Sequence, residues 1–278
     1  MIITDKIIQD YRENLINEEK AAATVERYLR DVKAFAAWLG DCPLQKETAL
    51  AYKAHLCETY APSCVNTVLS SLNSFFSFLG HPELRVRFLR VQKSLFSSDE
   101  KELTRGEYER LLAAAKEKHN TRLYLLMQTI CSTGIRVSEL KHITVEAVGR
   151  TCAEIQSKGK RRTVYLPTRL CRALRAYARA QNIKSGPVFV TKNGNPLDRS
   201  NIWSDMKRLC RTAGISEKKV FPHNLRHLFA RTYYTAQKDI VRLADILGHS
   251  SINTTRIYTM ESGEIHRRQI QRLGLLKC

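Results

Sequence analysis

Four residues in the last third of the chain, His223, Arg226, His249 and Tyr258, have the types and spacing to act on one substrate. If Phe221 opens a helix, a rotation of about 100° per residue places His223, Arg226 and His227 within roughly one third of its circumference. Leu225, Leu228 and Phe229 then lie on the opposite side, facing a core. An imidazole and a guanidinium therefore share the polar face. A break is expected near Lys238, and a second helix from Ile240 to Leu247 should stop at Gly248, a residue suited to the left-handed position that ends helices. His249 follows at once, and Tyr258 stands nine residues later. Positive donors for phosphoryl oxygens, imidazoles to move protons and a phenolic oxygen that forms a covalent ester are together what a phosphodiester needs.

Rival chemistries fit less well. His223 and His227 are spaced as paired zinc ligands on a helix would be, but the zinc-protease pattern puts Glu directly after the first histidine, and this chain has Asn224. No acidic third ligand stands nearby. His227 reads better as a structural donor. The segment LADILGHSSINTTRIYT also has the outline of a helix-turn-helix, with an apolar helix, a Gly turn and a polar second helix. That reading leaves Arg136, His223 and Arg226 with no role. Of 11 tyrosines, Tyr233 and Tyr234 suit packing, and Tyr258 alone has the right spacing from His249.

Elements able to position these residues come from the rest of the chain. At 278 residues there is room for two modest domains. A content of 43% hydrophobic and 26% charged residues is that of a globular protein, not a disordered one. No apolar run reaches the ~18 residues of a spanning helix, and the N-terminus lacks the basic and apolar regions of a signal peptide, so a cytoplasmic protein with no membrane partner is expected. Eight cysteines without a CxxC pair suggest reduced thiols, with neither a disulfide framework nor a zinc site. The net charge of +19 is unevenly spread: residues 1–100 carry 12 Lys and Arg against 13 Asp and Glu, and residues 101–278 carry 34 against 14. A polyanion is the partner such a domain favours.

Four amphipathic helices are expected in the first domain: residues 1–20, Thr24 (as cap) to Gly40, Glu47 to Tyr60, and one with Pro62 in its first turn that stops at Gly80. They make an all-α bundle without a catalytic constellation. Residues 81–102, with Arg85, Arg87, Arg90 and Lys93, read as a linker. The second domain opens with a capping box at Thr104 and Glu107. A helix from Thr121 to Cys131 runs into STGIRVSEL, where Gly134 ends it and Arg136 starts a short helix. Glu139 can lie on the same face as Arg136, either orienting a catalytic side chain or pairing with a nearby base. Glu154 to Pro167 reads as a β-hairpin with a basic Gly turn. Thr168 to Asn182 reads as an Arg-rich helix, Val188–Val190 as a short strand, and a further helix is capped by Asp198 or Ser200. The fold class is mostly α with a small β-sheet: an N-terminal four-helix domain and a C-terminal mixed α+β domain.

HNLRH followed by LGHSSINTTRIYT, together with TGIRVSEL, resembles the signature of the tyrosine recombinases, the phage-integrase family, and the resemblance spans nearly the whole chain. It implies a SAM-like, core-binding DNA-clamp domain over residues 1–97 and a catalytic domain over 103–278, whose tail, 259–278, docks on a neighbouring protomer. It implies a site-specific recombinase that cleaves and rejoins duplex DNA through a 3′-phosphotyrosyl intermediate, for integration, excision or resolution. The catalytic residues implied are Arg136, Lys158, His223, Arg226, His249 and Tyr258, supported by Glu139, Lys160 and His227. The mobile lysine of the family's hairpin matches Lys158 best, with Lys160 second because the turn here is a residue shorter. In the first domain Arg30, Lys33 and Lys53 are expected to touch phosphate. No cofactor and no metal is implied. The partners implied are double-stranded DNA with an inverted-repeat core site, further copies of the chain forming a tetramer in the synapse, and accessory proteins, in a prokaryotic nucleoid. With no arm-binding module before the first helix, the chain looks like the compact Xer- or Cre-like members. A type IB topoisomerase and a cleavage-dead DNA-binding regulator are the alternatives.

Overall fold

A computed structural model of the chain describes residues 3–91, 102–157, 160–191, 193–258 and 271–273. The chain divides into two compact units, residues 1–93 and 94–278.

The first unit holds α1 (Asp5–Asn17), α2 (Ala22–Leu39), α3 (Lys46–Thr59) and α4 (Pro62–Phe78). Each buries one stripe. Ile8, Tyr11 and Leu15 of α1 meet Val25, Val32, Phe35 and Leu39 of α2 and Val65, Leu69, Leu72, Phe75 and Phe76 of α4 in a single core. Aromatic edges lock it, with Tyr11 against Phe75 at 5.1 Å and Phe35 against Phe76 at 5.8 Å between ring centroids. Thr24 is not the cap of α2: the helix begins a turn earlier, behind Ala21, because Ala22 and Ala23 extend it without cost. Residues 82–89 are not free of this unit either. Asn73 donates to Val86 O at 2.9 Å and accepts from Val86 N at 2.8 Å, and Asn66 does the same to Leu89 at 2.9 and 2.8 Å. Lys53 Nζ donates to Arg87 O at 2.8 Å.

The second unit contains α5 (Arg105–Glu117), α6 (Thr121–Thr133), α7 (Val145–Arg150), the strands β1 (Cys152–Ser157) and β2 (Lys160–Tyr165), α8 (Thr168–Ala180), α9 (Arg199–Ala213), α10 (Pro222–Gln237), α11 (Ile240–Leu247) and α12 (Ile252–Thr255). Thr104 and Glu107 form the expected reciprocal capping box, and Asp198 caps α9. Helix α6 is central. It packs against α5, α8 and α10, and its Leu123, Leu126, Met127 and Ile130 are buried in the main core. The strands pair antiparallel, with Ile155 opposite Arg162 and Ala153 opposite Val164. Val188–Val190 does not form the expected strand. Val188 N bonds to Ile143 O at 2.9 Å and Val190 makes only an isolated bridge with Pro196, whose ring has no N–H to extend a ladder. A smaller core of Ala230, Leu243, Leu247 and Tyr258 lies under the end of α10. Among the described residues no helix is long and apolar enough to cross a membrane.

Candidate active site

Two helix ends build the site. Helix α6 stops at Gly134, with a left-handed φ of +66°, and α11 stops at Gly248, with φ +64°. A Cβ at Gly134 would meet Phe229 Cε1 at 2.5 Å, and one at Gly248 would meet Arg162 Cδ at 2.6 Å, so a side chain at either position adds left-handed strain and must displace its neighbour. A helix C-terminus leaves carbonyls without intrahelical donors and carries the negative end of the dipole, so cations are favoured there. Three arginines take three successive carbonyls at the end of α11. Arg162 Nη1 donates to Ile246 O, Arg226 Nη2 to Leu247 O at 2.8 Å, and Arg136 Nη2 to Gly248 O at 3.4 Å. Arg226 also ties in the end of α6, donating from Nη1 to Gly134 O at 2.6 Å. Its side chain is only 1% exposed. Burial, reinforced by neighbouring Arg136, pushes its pKa down to about 10, which still leaves it charged at neutral pH.

Glu139 balances this charge. The 3-10 turn Val137–His142 starts from Arg136, and Glu139 reaches back so that Oε2 accepts from Arg136 N at 2.7 Å and Oε1 from Arg136 Nη1 at 3.0 Å. Its Oε2 also accepts from Arg162 Nη2 at 2.5 Å. Burial opposes the carboxylate charge, but the Arg136 amide and the two guanidinium groups outweigh it, and the carboxyl titrates below its ordinary value. Glu139 thus bonds both Arg136 and a second base, Arg162.

His249 lies between cation and hydroxyl. Arg226 Nη2 stands 3.0 Å from His249 Nε2, and His249 Nδ1 stands 2.8 Å from Thr255 Oγ1. A guanidinium only donates, so Nε2 accepts and the proton sits on Nδ1, donated to Thr255. Burial first, then Arg226, Arg136 and Arg162, push the His249 pKa down to about 4. Tyr258 is buried. Its ring lies 6.1 Å from His249, nearly parallel, and 4.8 Å from the edge of His227. His227 in turn meets His223 at 4.4 Å. Burial, His223 and Arg226 push His227 down to about 4, and partial burial with Arg226 and Arg136 lowers His223. All three imidazoles are thus held neutral near pH 7.

Arg136, Glu139, His223, Arg226, His227, His249 and Tyr258 are brought together in one place. Lys158 lies outside the described residues, and so does most of the tail expected to dock on another protomer. Lys160 opens β2, its backbone paired with Ser157. His227 was expected to act as a structural donor, but its Nε2 is buried with no hydrogen-bond partner among the described residues. No group of three His, Cys, Asp or Glu side chains among them could hold a metal ion.

Known proteins resemble the chain in sequence and fold. The family model described as phage integrase family matches residues 101–264, and that for the phage integrase N-terminal SAM-like domain matches residues 8–82. The chain belongs to the phage integrase family. Within the family it is similar to the tyrosine recombinase XerA of Thermococcus kodakarensis, 30% identical over 284 residues that cover 98% of this chain and 97% of that one. The tyrosine recombinase XerD of Lacticaseibacillus casei is 29% identical, covering 93% of this chain and 94% of the relative. A crystal structure of XerA recombinase aligns at 25% identity with a TM-score of 0.54, over 99% of this chain and 100% of that one. A lambda integrase (75–356) dimer bound to a COC′ core site, at 19% identity, shares the fold with a TM-score of 0.76, over 94% and 96%. As a member of this family the chain is a tyrosine recombinase, a class that cleaves and exchanges DNA strands.

Sequence reasoning passed over two members of the site. Arg162 occupies an inward position of β2, in step with buried Val164, where period-two alternation calls for an apolar side chain; that mismatch was the available signal. Thr255, fully buried, carries no signal beyond its six-residue distance from His249.

Proposed function

We propose that the chain is a site-specific recombinase in which Tyr258 attacks the scissile phosphate of duplex DNA. The new bond joins Tyr258 Oη to phosphorus and the bond to the 5′ oxygen breaks, leaving a 3′-phosphotyrosyl ester and a 5′ hydroxyl. The tyrosine proton passes to neutral His223, and Lys158, or Lys160 as second choice, protonates the departing 5′ oxygen. The 5′ hydroxyl of a second strand then reverses the step on a new partner. The ester conserves most of the free energy of the phosphodiester it replaces, so rejoining requires no nucleotide.

One observation carries the reading: Arg136, Arg162, Arg226 and His249 converge on two helix ends beside a buried tyrosine ring, with Glu139 as their carboxylate. Arg136 and Arg226 offer planar forks that suit non-bridging phosphoryl oxygens. His249 accepts from Arg226 at 3.0 Å, and burial together with the three arginines holds its pKa down. A phosphate entering the cluster supplies the opposite charge. His249 then gains a proton on Nε2, keeps Nδ1–H on Thr255 and donates to the phosphate. The first unit serves as a DNA clamp, and the active assembly is an oligomer on an inverted-repeat core site inside a prokaryotic cytoplasm, with accessory proteins setting direction.

Radiolabelled DNA flanking the gene, nicked near candidate inverted repeats, tests this. The chain in EDTA should carry label into a detergent-resistant band, and Tyr258→Phe should lose the band while holding DNA within a few fold. A band that persists in Tyr258→Phe sinks the assigned nucleophile. Tight binding without a band in the native chain turns the reading to a regulator, and relaxation of supercoils without exchange turns it to a topoisomerase.

A further inference from the structure

Arg162 is assigned no contact with the phosphate above, and its surroundings are not those of a solvated hairpin charge. Its side chain is 14% exposed. It lies flat against Gly248, where an added Cβ would meet its Cδ at 2.6 Å and its Nε at 2.8 Å. One guanidinium links three elements: β2, on which it stands; the turn Val137–His142, through Glu139 Oε2; and the end of α11, through Ile246 O. The two cations on Glu139 are thereby divided between its oxygens, since Oε1 serves Arg136 Nη1. Nothing in this arrangement is periodic or repeated, and the glycine that makes room for it immediately precedes His249.

We propose that Arg162 is a positioning residue for strand transfer: by holding Glu139 Oε2 and Ile246 O, it confines the Arg136 guanidinium to Glu139 Oε1, so that Nη2, on Gly248 O at 3.4 Å, can turn to the phosphate, and it fixes the helix end from which His249 projects. This rests on the recombinase reading above. Without Arg162, Glu139 is a buried carboxylate whose remaining described cation is Arg136, and a carboxylate accepts a guanidinium with both oxygens. Arg136 is then drawn onto Glu139 and away from the substrate. The carbonyl of Ile246 loses its donor at the same time, and the end of α11 loosens under His249. The turn from Arg136 to Glu139 keeps its backbone bond from Arg136 N to Glu139 Oε2, so the damage falls on aim and spares the fold.

The measurement is the single-turnover rate of covalent adduct formation by the full chain at saturating protein, with DNA affinity taken in parallel. Arg162→Met should cleave about 100-fold more slowly, the cost of a displacement near one ångström at a reacting group. Its DNA affinity should stay within about threefold, because an aim defect falls on the chemical step. Arg162→Lys, which keeps the charge without the fork, should lie between. The double variant Arg162→Met/Glu139→Gln decides the mechanism: a neutral amide releases Arg136, so the pair should cleave about tenfold faster than Arg162→Met alone, a non-additivity no generic structural loss produces. Equal rates for Arg162→Met and the native chain, or a double variant no faster than Arg162→Met, overturns the proposal. Should Arg162→Met not fold, Arg162→Lys with and without Glu139→Gln gives the same comparison. A carbon-NMR titration of Glu139 in DNA-free protein separates the two readings. Loss of the adduct by the native chain refutes the recombinase, whereas a Glu139 titration unmoved by Arg162→Met or Arg162→Lys refutes the role of Arg162 whatever the reaction.

Discussion

Replacing Arg226 with lysine keeps one positive charge and removes the fork. The native guanidinium spans Gly134 O at 2.6 Å, Leu247 O at 2.8 Å and His249 Nε2 at 3.0 Å, acceptors drawn from two different helix ends. An ammonium carries its three donors on one nitrogen, so it cannot sit within reach of both carbonyls and the imidazole. Two acceptors lose their partner in a site only 1% exposed, at about 1–3 kcal/mol per buried group left unmade. Unfolding free energy should therefore fall by roughly 2–6 kcal/mol, a large part of the ~5–15 kcal/mol typical of a domain. The transition state separately loses a bidentate donor, worth about 2–4 kcal/mol, or roughly 30- to 1,000-fold in rate. Urea unfolding measures the first quantity, and single-turnover adduct formation at a temperature where the variant is fully folded measures the second. If Arg226→Lys forms adduct within about threefold of the native rate, a point charge suffices and the argument from planar geometry is wrong.

Thr255→Val, close to isosteric, removes the acceptor for His249 Nδ1–H and frees the ring to take the tautomer that opposes Arg226; adduct formation should fall about tenfold, and an unchanged rate would show that the tautomer is not controlled there. Gly134→Ala forces a Cβ into φ +66° and against the Phe229 ring at 2.5 Å; left-handed strain of about 1–2 kcal/mol and overpacking of about 1–3 kcal/mol should both appear in urea unfolding, and a loss below about 1 kcal/mol would contradict them. His227 and His249 titrate at about 4 in the fold against an ordinary 6.5. Between those values the unfolded chain binds protons that the folded chain does not, so stability is full above about pH 6.5 and is lost as pH falls toward 4. The urea midpoint should follow that window, and a His227→Gln/His249→Gln variant with the same slope would assign it to other groups.

The parts of this molecule that are periodic or local could be read from the sequence. The polar face of α10, the glycine stops at 134 and 248, the capping box at Thr104 and the basic hairpin each depend on residues a few positions apart. The start of α2 was misplaced because the threonine signal for a cap competes with the helix propensity of the two alanines before it. The strand at Val188–Val190 failed because a ladder needs a partner, and the neighbour supplied is a proline. Inside the site, residue types were legible and their bonds were not. Nothing along the chain says that Arg136, Arg162 and Arg226 would take successive carbonyls of α11, since that depends on three elements meeting at one helix end. Arg162 left a trace in the alternation of β2. The acceptor role of His249 toward Arg226 and its proton on Nδ1 follow only from the Arg226 and Thr255 contacts in space.

If Arg136 and Arg226 grip the phosphate as proposed, the carbonyls of Leu247 and Gly248 that they hold also set how the site discriminates. Each arginine N–H that meets a phosphoryl oxygen is exchanged from a peptide oxygen of the protein itself, so contact with a ground-state phosphodiester replaces one good hydrogen bond by another and gains little. A pentavalent phosphorane carries more negative charge on its equatorial oxygens than the diester did, and it outcompetes the carbonyls where the diester does not. The helix end thus acts as an internal reference ligand: it subtracts nearly the same amount from substrate and transition state, and what remains is weighted toward the transition state. On the proposed reaction, tight grip on duplex DNA is then left to surfaces away from the reacting phosphate, and Arg136 and Arg226 are reserved for the moment of strand exchange.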